Sequence, residues 1–406
     1  MKKAFIFIFI TVLLDVIGLG IIIPILPELI MSITGKNLNA ASSISGWLMS
    51  SYSIMLFVCA PIIGGISDQY GRRPVLLVTL LVFGLDYLIQ GFAPTIEWLF
   101  VGRIIAGITG ASFSVASSFI ADLSEPDKKA QNFGLIGAAF GLGFIIGPLL
   151  GSVLGQYGPR VPFFASAFLA LMNFTFGYFV LPESLSKEHR RTFSIRRANP
   201  FGTLKVLIKY PILKDFVLIL FMVYLAHYSL QSTWSFYTIH KFKWDHTMIG
   251  YSLAFVGITM AIVQGGLTRI LIPKLGPYKS IYIGFAAAMI GYLGYAFAPV
   301  GWFMFVFIIP FSFSGLAGPS IQGLISNQVP ANAQGELQGG LTSLMSFTAI
   351  LGPIIMTGIF QVMSIPGSSY YFPGASFMLA FLLIVIALLL AIRPLQKMAK
   401  VKVKDS

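Results

Sequence analysis

AQNFGLIGAAFGLGFIIGP, residues 130–148, and GELQGGLTSLMSFTAILGP, residues 335–353, lie 205 positions apart and share a glycine and a terminal Gly-Pro pair in register. The same shift lays Gly71 on Gly276, Gly110 on Gly315, Gly134 on Gly339, Gly147-Pro148 on Gly352-Pro353, and Asp122 on Asn327. Apolar segments resemble one another by chance. Chance does not keep glycines and Gly-Pro pairs aligned along half a chain. The chain therefore reads as a duplication, with two halves in the same orientation.

Composition says what is duplicated. Of 406 residues, 56% are hydrophobic and 10% charged, against about 25% charged in a soluble domain. This is a multi-pass membrane protein, which excludes a cytosolic enzyme or a nucleic-acid binder. An apolar run of about 20 residues crosses a bilayer. That length predicts spans over 4–30, 44–66, 74–94, 98–121, 132–155 and 161–181, then 214–238, 248–271, 280–298, 301–325, 336–361 and 374–393. The expected class is an all-α membrane protein of twelve transmembrane helices in two pseudo-symmetric six-helix bundles. The bundles are 1–181 and 214–393, with a cytoplasmic linker at 182–213 and a cytoplasmic tail at 394–406. A short surface helix is expected near 201–209. The N-terminus has the two lysines and apolar core of a signal peptide, but the run is long enough to span and reads as uncleaved.

The net charge of +13 follows topology. With both termini inside, 22 lysines and arginines fall on the inner side, counting Lys214 with the linker, and four fall outside: Lys36, Arg160, Lys241 and Lys243. That asymmetry orients the chain with both termini cytoplasmic, and the short loops and compact length point to a cell inner (plasma) membrane. Cys59, the single cysteine, allows no internal disulfide and reads as a packed side chain. No H-E-x-x-H, clustered His and Asp, or nucleotide loop occurs, so no enzyme, metal or cofactor is expected.

Several motifs carry chemistry. GGISDQYGRRPVLL, residues 64–77, follows the second span. Gly64 suits close helix approach, Asp68 can receive hydrogen bonds, Gly71 permits a tight turn, and Arg72 and Arg73 anchor the inner face. The second-half copy keeps Gly276 but has Pro273 in place of the aspartate. LFVGRIIAGITGAS places Arg103 inside the fourth span, where it needs a partner or must snorkel. In GLGFIIGPLLGS, Pro148 kinks a helix whose Gly143, Gly147 and Gly151 form a groove. LLDVIGLGIIIPILP, residues 13–27, holds Asp15, the only charge between Ala4 and Leu26; GLDYLIQ holds Asp86. A carboxylate in hydrocarbon costs at least about 2.5 kcal/mol, so it needs a function or a partner.

The parallel duplication and the 64–77 loop resemble the major facilitator superfamily. Within it, the motifs around Asp15, Asp68, Asp86 and Arg103, with IADLSEPDKKAQNFG and GAAFGLGFIIGP, resemble the tetracycline-efflux group of drug–proton antiporters, in the right order and most densely over residues 10–165. The resemblance implies a proton-driven exporter, working by alternating access around a cavity between the halves. Asp15 and Asp86 would change protonation, and Arg103 would balance them. The Asp68 loop would latch the outward-facing state, and the Gly-Pro element would mark antiport. Protons and a small molecule would be the partners, the chain a monomer, and the proton gradient its energy source.

The resemblance breaks in the second half. The group's ninth-helix carboxylate, which helps hold metal-chelated drug, is absent from SIYIGFAAAMIGYLGYAF, and Met260 stands where some members carry a histidine. That disfavours tetracycline and points to other amphipathic or cationic compounds, with a metabolite carrier of the same fold as the alternative. Candidate substrate contacts are His227, Gln231, Trp234, Gln264 and Gln322; Ser232 and Asn327 are further polar groups. Tyr228 and Phe236 could also line a pocket. His227 and the aromatic residues read equally as packed side chains.

Overall fold

The computed structural model describes residues 2–110, 112–124, 129–193, 211–329 and 334–404, so the helix expected near 201–209 lies outside the described residues. Among the described residues every regular element is a helix. Helices suit a medium without water because each satisfies its own backbone. Backbone contacts divide the chain into two units, Met1–Pro200 with Trp244–Ala254, and Phe201–Lys243 with Phe255–Ser406.

In the first unit, α1 (Lys2–Ile22) and α2 (Leu26–Thr34) together fill the expected first span, bent by 53° at residues 23–25. The unbroken helix read from length gives way at Pro24, which has no N–H to continue α1, while Pro27 sits in the first turn of α2. α3 (Leu38–Tyr70) starts at Asn37, whose side chain accepts from the Ala40 N–H at 3.0 Å. Gly71, at φ +106°, turns the chain into α4 (Arg72–Phe92). Then come α5 (Ile96–Thr109), α6 (Ser112–Leu123), α7 (Lys129–Gly155) and α8 (Val161–Val180).

α1 and α7 meet backbone to backbone. A methyl group on Gly143 would stand 2.7 Å from Val16 Cβ, and one on Gly147 would stand 2.8 Å from Ile17 O and 2.9 Å from Gly20 Cα. A methyl on Gly151 would run into Ile21 O. The glycine groove of the 143–152 motif is thus filled by α1. Gly64 does not behave as expected. A methyl there would meet only Ser114 Oγ, at an ordinary 3.7 Å. The close approach is one residue on, where a methyl on Gly65 would stand 2.9 Å from the Phe193 ring.

The second unit takes α9 (Pro211–Phe242) and the later part of α10 (His246–Ala261). A π turn (Ile262–Leu267) leads to α11 (Thr268–Phe297), broken at Gly276, which has φ +76°. α12 (Trp302–Ser312) and α13 (Ala317–Ser326) are joined by a 3-10 turn, and α14 (Gln334–Met363) and α15 (Ala375–Lys404) follow. Gly71 and Gly276, paired by the 205-residue shift, both take positive φ between helices. Gly352, paired with Gly147, brings α14 against the Tyr228 ring of α9, where a methyl would stand 2.5 Å away.

Ten described helices are long and apolar enough to cross a membrane, and the bent α1–α2 pair makes eleven. The 52-residue stretch His246–Phe297 counts once among them. At about 1.5 Å per residue it is far longer than a bilayer core of about 30 Å, so its break at Gly276 separates two crossings and makes twelve. Large apolar side chains such as Phe92, Phe168, Phe179 and Trp302 stand exposed on this surface, as they do on a protein whose solvent is lipid.

Gly147→Leu should force α1 and α7 apart. The expected result is a loss of about 1–3 kcal/mol of stability and reduced transport, read as a lower unfolding temperature in detergent and a lower rate in vesicles; wild-type values for both would show that the groove is not needed.

Candidate functional site

The intramembrane charges of the first unit are held by neutral side chains from neighbouring helices. Asp15, half-buried on α1, accepts from Ser112 Oγ of α6 at 2.9 Å through Oδ2. Asp86, on α4, is 0% exposed. Its Oδ2 accepts from Gln90 Nε2 at 2.7 Å, one turn further along the same helix. Gln90 Oε1 in turn accepts from Arg103 Nε at 3.0 Å and Nη2 at 2.6 Å. Arg103 therefore reaches Asp86 through an amide, not directly. Asp86 Oδ1 is buried with no hydrogen-bond partner among the described residues, and so is the Tyr87 hydroxyl.

Glycines let these groups meet. A methyl on Gly102 would collide with Gln90 Cγ and stand 2.9 Å from Asp86 Oδ1, so only glycine at 102 lets α5 lie against the Asp86–Gln90 pair. On its other side α5 presses Gly107 on α3, where a methyl would stand 2.7 Å from Met55 Cβ. The Tyr87 hydroxyl packs against Gly18, one turn after Asp15. Tyr52 of α3 lies in the electrostatic field of Arg103, Asp15 and Asp86. The chain thus brings Asp15, Asp86 and Arg103 into one neighbourhood. Gln90, Ser112, Gly102, Tyr52 and Tyr87 were missed as members. The available signal was Gln90 itself, an amide in an apolar helix four residues after Asp86.

A second cluster surrounds the 64–77 loop. Arg72, 8% exposed, pairs with Asp68 at 2.5 Å and Asp122 at 3.2 Å, and donates to Ser67 Oγ at 2.6 Å. Glu183, just past α8, caps α4 by accepting from the N–H groups of Arg72 at 2.8 Å and Arg73 at 3.3 Å. A side chain on Gly71 would displace that carboxylate. Arg73 Nη2 donates to Tyr178 O at 2.8 Å. The start of the expected linker docks here too. Arg191 N–H donates to Asp68 O at 3.1 Å, and Phe193 N–H to Gln69 Oε1 at 2.9 Å.

In the second unit the five candidate substrate contacts divide into one packed aromatic and four polar side chains. Trp234 is fully buried, edge-on to Tyr295 at 5.2 Å, in an aromatic core with Tyr237 and Phe377; this is packing, not pocket lining. Phe236 is likewise buried, near Phe360. His227 and Gln231 are half-buried and one turn apart on α9. Gln264 is exposed and packs its Cγ against Gly315, and Gln322 is exposed and donates to Gln338 at 2.9 Å. Among the described residues no hydrogen bond joins His227, Gln231, Gln264 and Gln322 to one another, and no group of His, Cys, Asp and Glu could hold a metal.

Residues 8–353 match the profile of the Major Facilitator Superfamily. The tetracycline resistance protein, class C, of Escherichia coli is 38% identical over 86% of this chain and 88% of its own length. The class G protein of Vibrio anguillarum is 36% identical over 86% and 88%. Among solved structures, a bacterial homologue of the human lysosomal transporter Spinster superposes with a TM-score of 0.78 at 13% identity, covering 98% of both chains, a likeness of fold.

Removing the Glu183 cap tests the loop cluster. Glu183→Ala leaves two N–H groups of α4 without an acceptor and should cost about 1 kcal/mol, seen as a lower unfolding temperature in detergent; an unchanged temperature would show that water caps α4 as well.

Proposed function

The chain belongs to the Major Facilitator Superfamily, and from that premise we propose that it is a proton-coupled exporter of small amphipathic compounds, drug-like or tetracycline-like, working by alternating access. Protons moving inward down their gradient are exchanged for compound moving outward. The reading rests on one observation above all. Two carboxylates, Asp15 and Asp86, sit in apolar helices, each on a single neutral donor, and neither makes an ion pair among the described residues. A carboxylate so placed is stable neutral and is ready to gain or lose a proton when water or a cation reaches it. Even the less buried carboxylates of the loop cluster, Asp68 and Asp122, are matched by a cation, Arg72.

In this reading Asp15 and Asp86 carry protons and Arg103 balances their charge. The Asp68–Arg72–Arg73 cluster with Gly71, and the Gly143, Gly147, Pro148 and Gly151 seam, govern the conformational change. His227, Gln231, Gln264 and Gln322 contact substrate; Trp234 is withdrawn from that role. Substrate, protons and lipid are the partners. The working unit is a monomer in a bacterial inner membrane with both termini cytoplasmic, drawing energy from the proton gradient without a cofactor and without an enzymatic step. The relatives' names support an antibiotic-sized substrate. One observation favours a second reading, a metabolite carrier of the same fold: the helix after Gly276 carries no carboxylate to hold a metal-chelated drug.

Acidified inside-out vesicles containing the protein separate the two. Addition of tetracycline or a lipophilic cation should release lumenal protons, and Asp15→Asn should abolish the release while leaving insertion intact. Normal coupled turnover in Asp15→Asn would remove Asp15 from the mechanism, and silence of the wild type toward every drug would favour the metabolite carrier.

A further inference from the structure

The bridge between Arg103 and Asp86 deepens the proton-coupling reading, on which this inference rests. The groups that face Asp86 are few. Arg103 of α5 and Gln90 of α4 act on it, and Tyr52 of α3 and Tyr87 of α4 lie with it and Asp15 of α1 in the same electrostatic neighbourhood. Where α8 packs on the middle of α4 it presents apolar groups, Leu171 at Gly84 and Phe164 at Gly91. Arg103 is the one cation in this set. Direct pairing of a buried arginine with a buried aspartate would hold the aspartate ionised and resist proton uptake. The structure avoids that pairing. Both Nε and Nη2 of Arg103 are occupied by the Gln90 carbonyl, and the Gln90 amide nitrogen spends a donor on Asp86 Oδ2. What is left is Oδ1, fully buried and unpartnered.

We propose that Gln90 is a positioning residue that holds Arg103 one amide away from Asp86 and leaves Oδ1 as the atom that binds the transported proton. On uptake, one O–H bond forms at Oδ1 and the carboxylate becomes a neutral acid; the Gln90 Nε2–H···Oδ2 bond is kept. On release, the proton leaves Oδ1 for water, and the negative charge is balanced by Arg103 across the amide. Gly102 belongs to the same device, because a side chain there would occupy the space of Oδ1 and Gln90 Cγ.

The test reads the protonation of Asp86 itself. Infrared pH titration of purified protein in an Asp15→Asn background follows the protonated-carboxyl band, assigned by its loss on adding Asp86→Asn. Gln90→Ala lets Arg103 fall onto Asp86, so the band should vanish at a pH lower by about one unit or more. Gln90→Glu puts a second carboxylate one turn away, and two carboxylates that close share a proton. The band should then persist to a pH higher by about one unit. Opposite signs are the expected result. If Gln90→Ala does not yield folded protein, Gln90→Met removes the same donor and acceptor with the bulk retained. Wild-type titration in both variants, or shifts of the same sign, would overturn the proposal, because a purely structural role has no reason to reverse with charge. The measurement needs no substrate. Failure of the vesicle assay with the opposite shifts intact would sink antiport and leave this bridge standing; the reverse would sink the bridge alone.

Discussion

Everything in the first unit depends on how closely its helices approach. In hydrocarbon a carboxylate has no water to turn to, so its donor must come from a neighbouring helix. A neighbour can supply it only where a Cβ is missing from the seam. Gly102 admits the Asp86–Gln90 pair and Gly107 seats α5 on α3. Gly18 accepts Tyr87, and Gly143, Gly147 and Gly151 bring α7 onto α1. These are the small-residue contacts by which membrane helices associate without a hydrophobic driving force between them. The charge chemistry and the glycine pattern are therefore one constraint: the first cannot exist without the second.

The same constraint explains why two arrangements of charge coexist in one unit. Around Arg72 the carboxylates of Asp68 and Asp122 meet a guanidinium directly, and Glu183 and Ser67 complete the shell. In that cluster each of these carboxylates is matched by a donor. Around Asp86 an amide is interposed and one oxygen is left over. The difference between an ion-paired carboxylate and one held off its arginine is, here, a single neutral side chain, Gln90. The second unit repeats the frame of the turn without its aspartate. Gly276 reproduces the turn of Gly71, while Pro273 replaces Asp68.

Much of this was legible in the sequence. The repeat follows from glycines in register 205 residues apart, and the spans follow from hydropathy. Asp15, Asp86 and Arg103 announce themselves because charge in an apolar run is rare. What was not legible depends on which face a residue turns to a neighbour. Gln90 carries no charge and sits in a helix whose register against α5 is set by Gly102, on that next helix. Trp234 looks the same in sequence whether it lines a pocket or packs on Tyr295. The close approach falls at Gly65 and not Gly64 because the Phe193 ring lies over it. The break in α1 was signalled by Pro24, but a length criterion smooths over a proline that tertiary packing converts into a 53° bend.

The central claim, that substrate binding is coupled to proton release from Asp15 and Asp86, is tested most directly by the protons that leave the purified protein when a compound binds. In lightly buffered detergent solution, binding of a permanently charged lipophilic cation, which has no proton of its own to give, should acidify the medium. The release should disappear when Asp15 and Asp86 are both replaced by asparagine. Binding without release in the wild type, or release that survives the double replacement, would contradict the account.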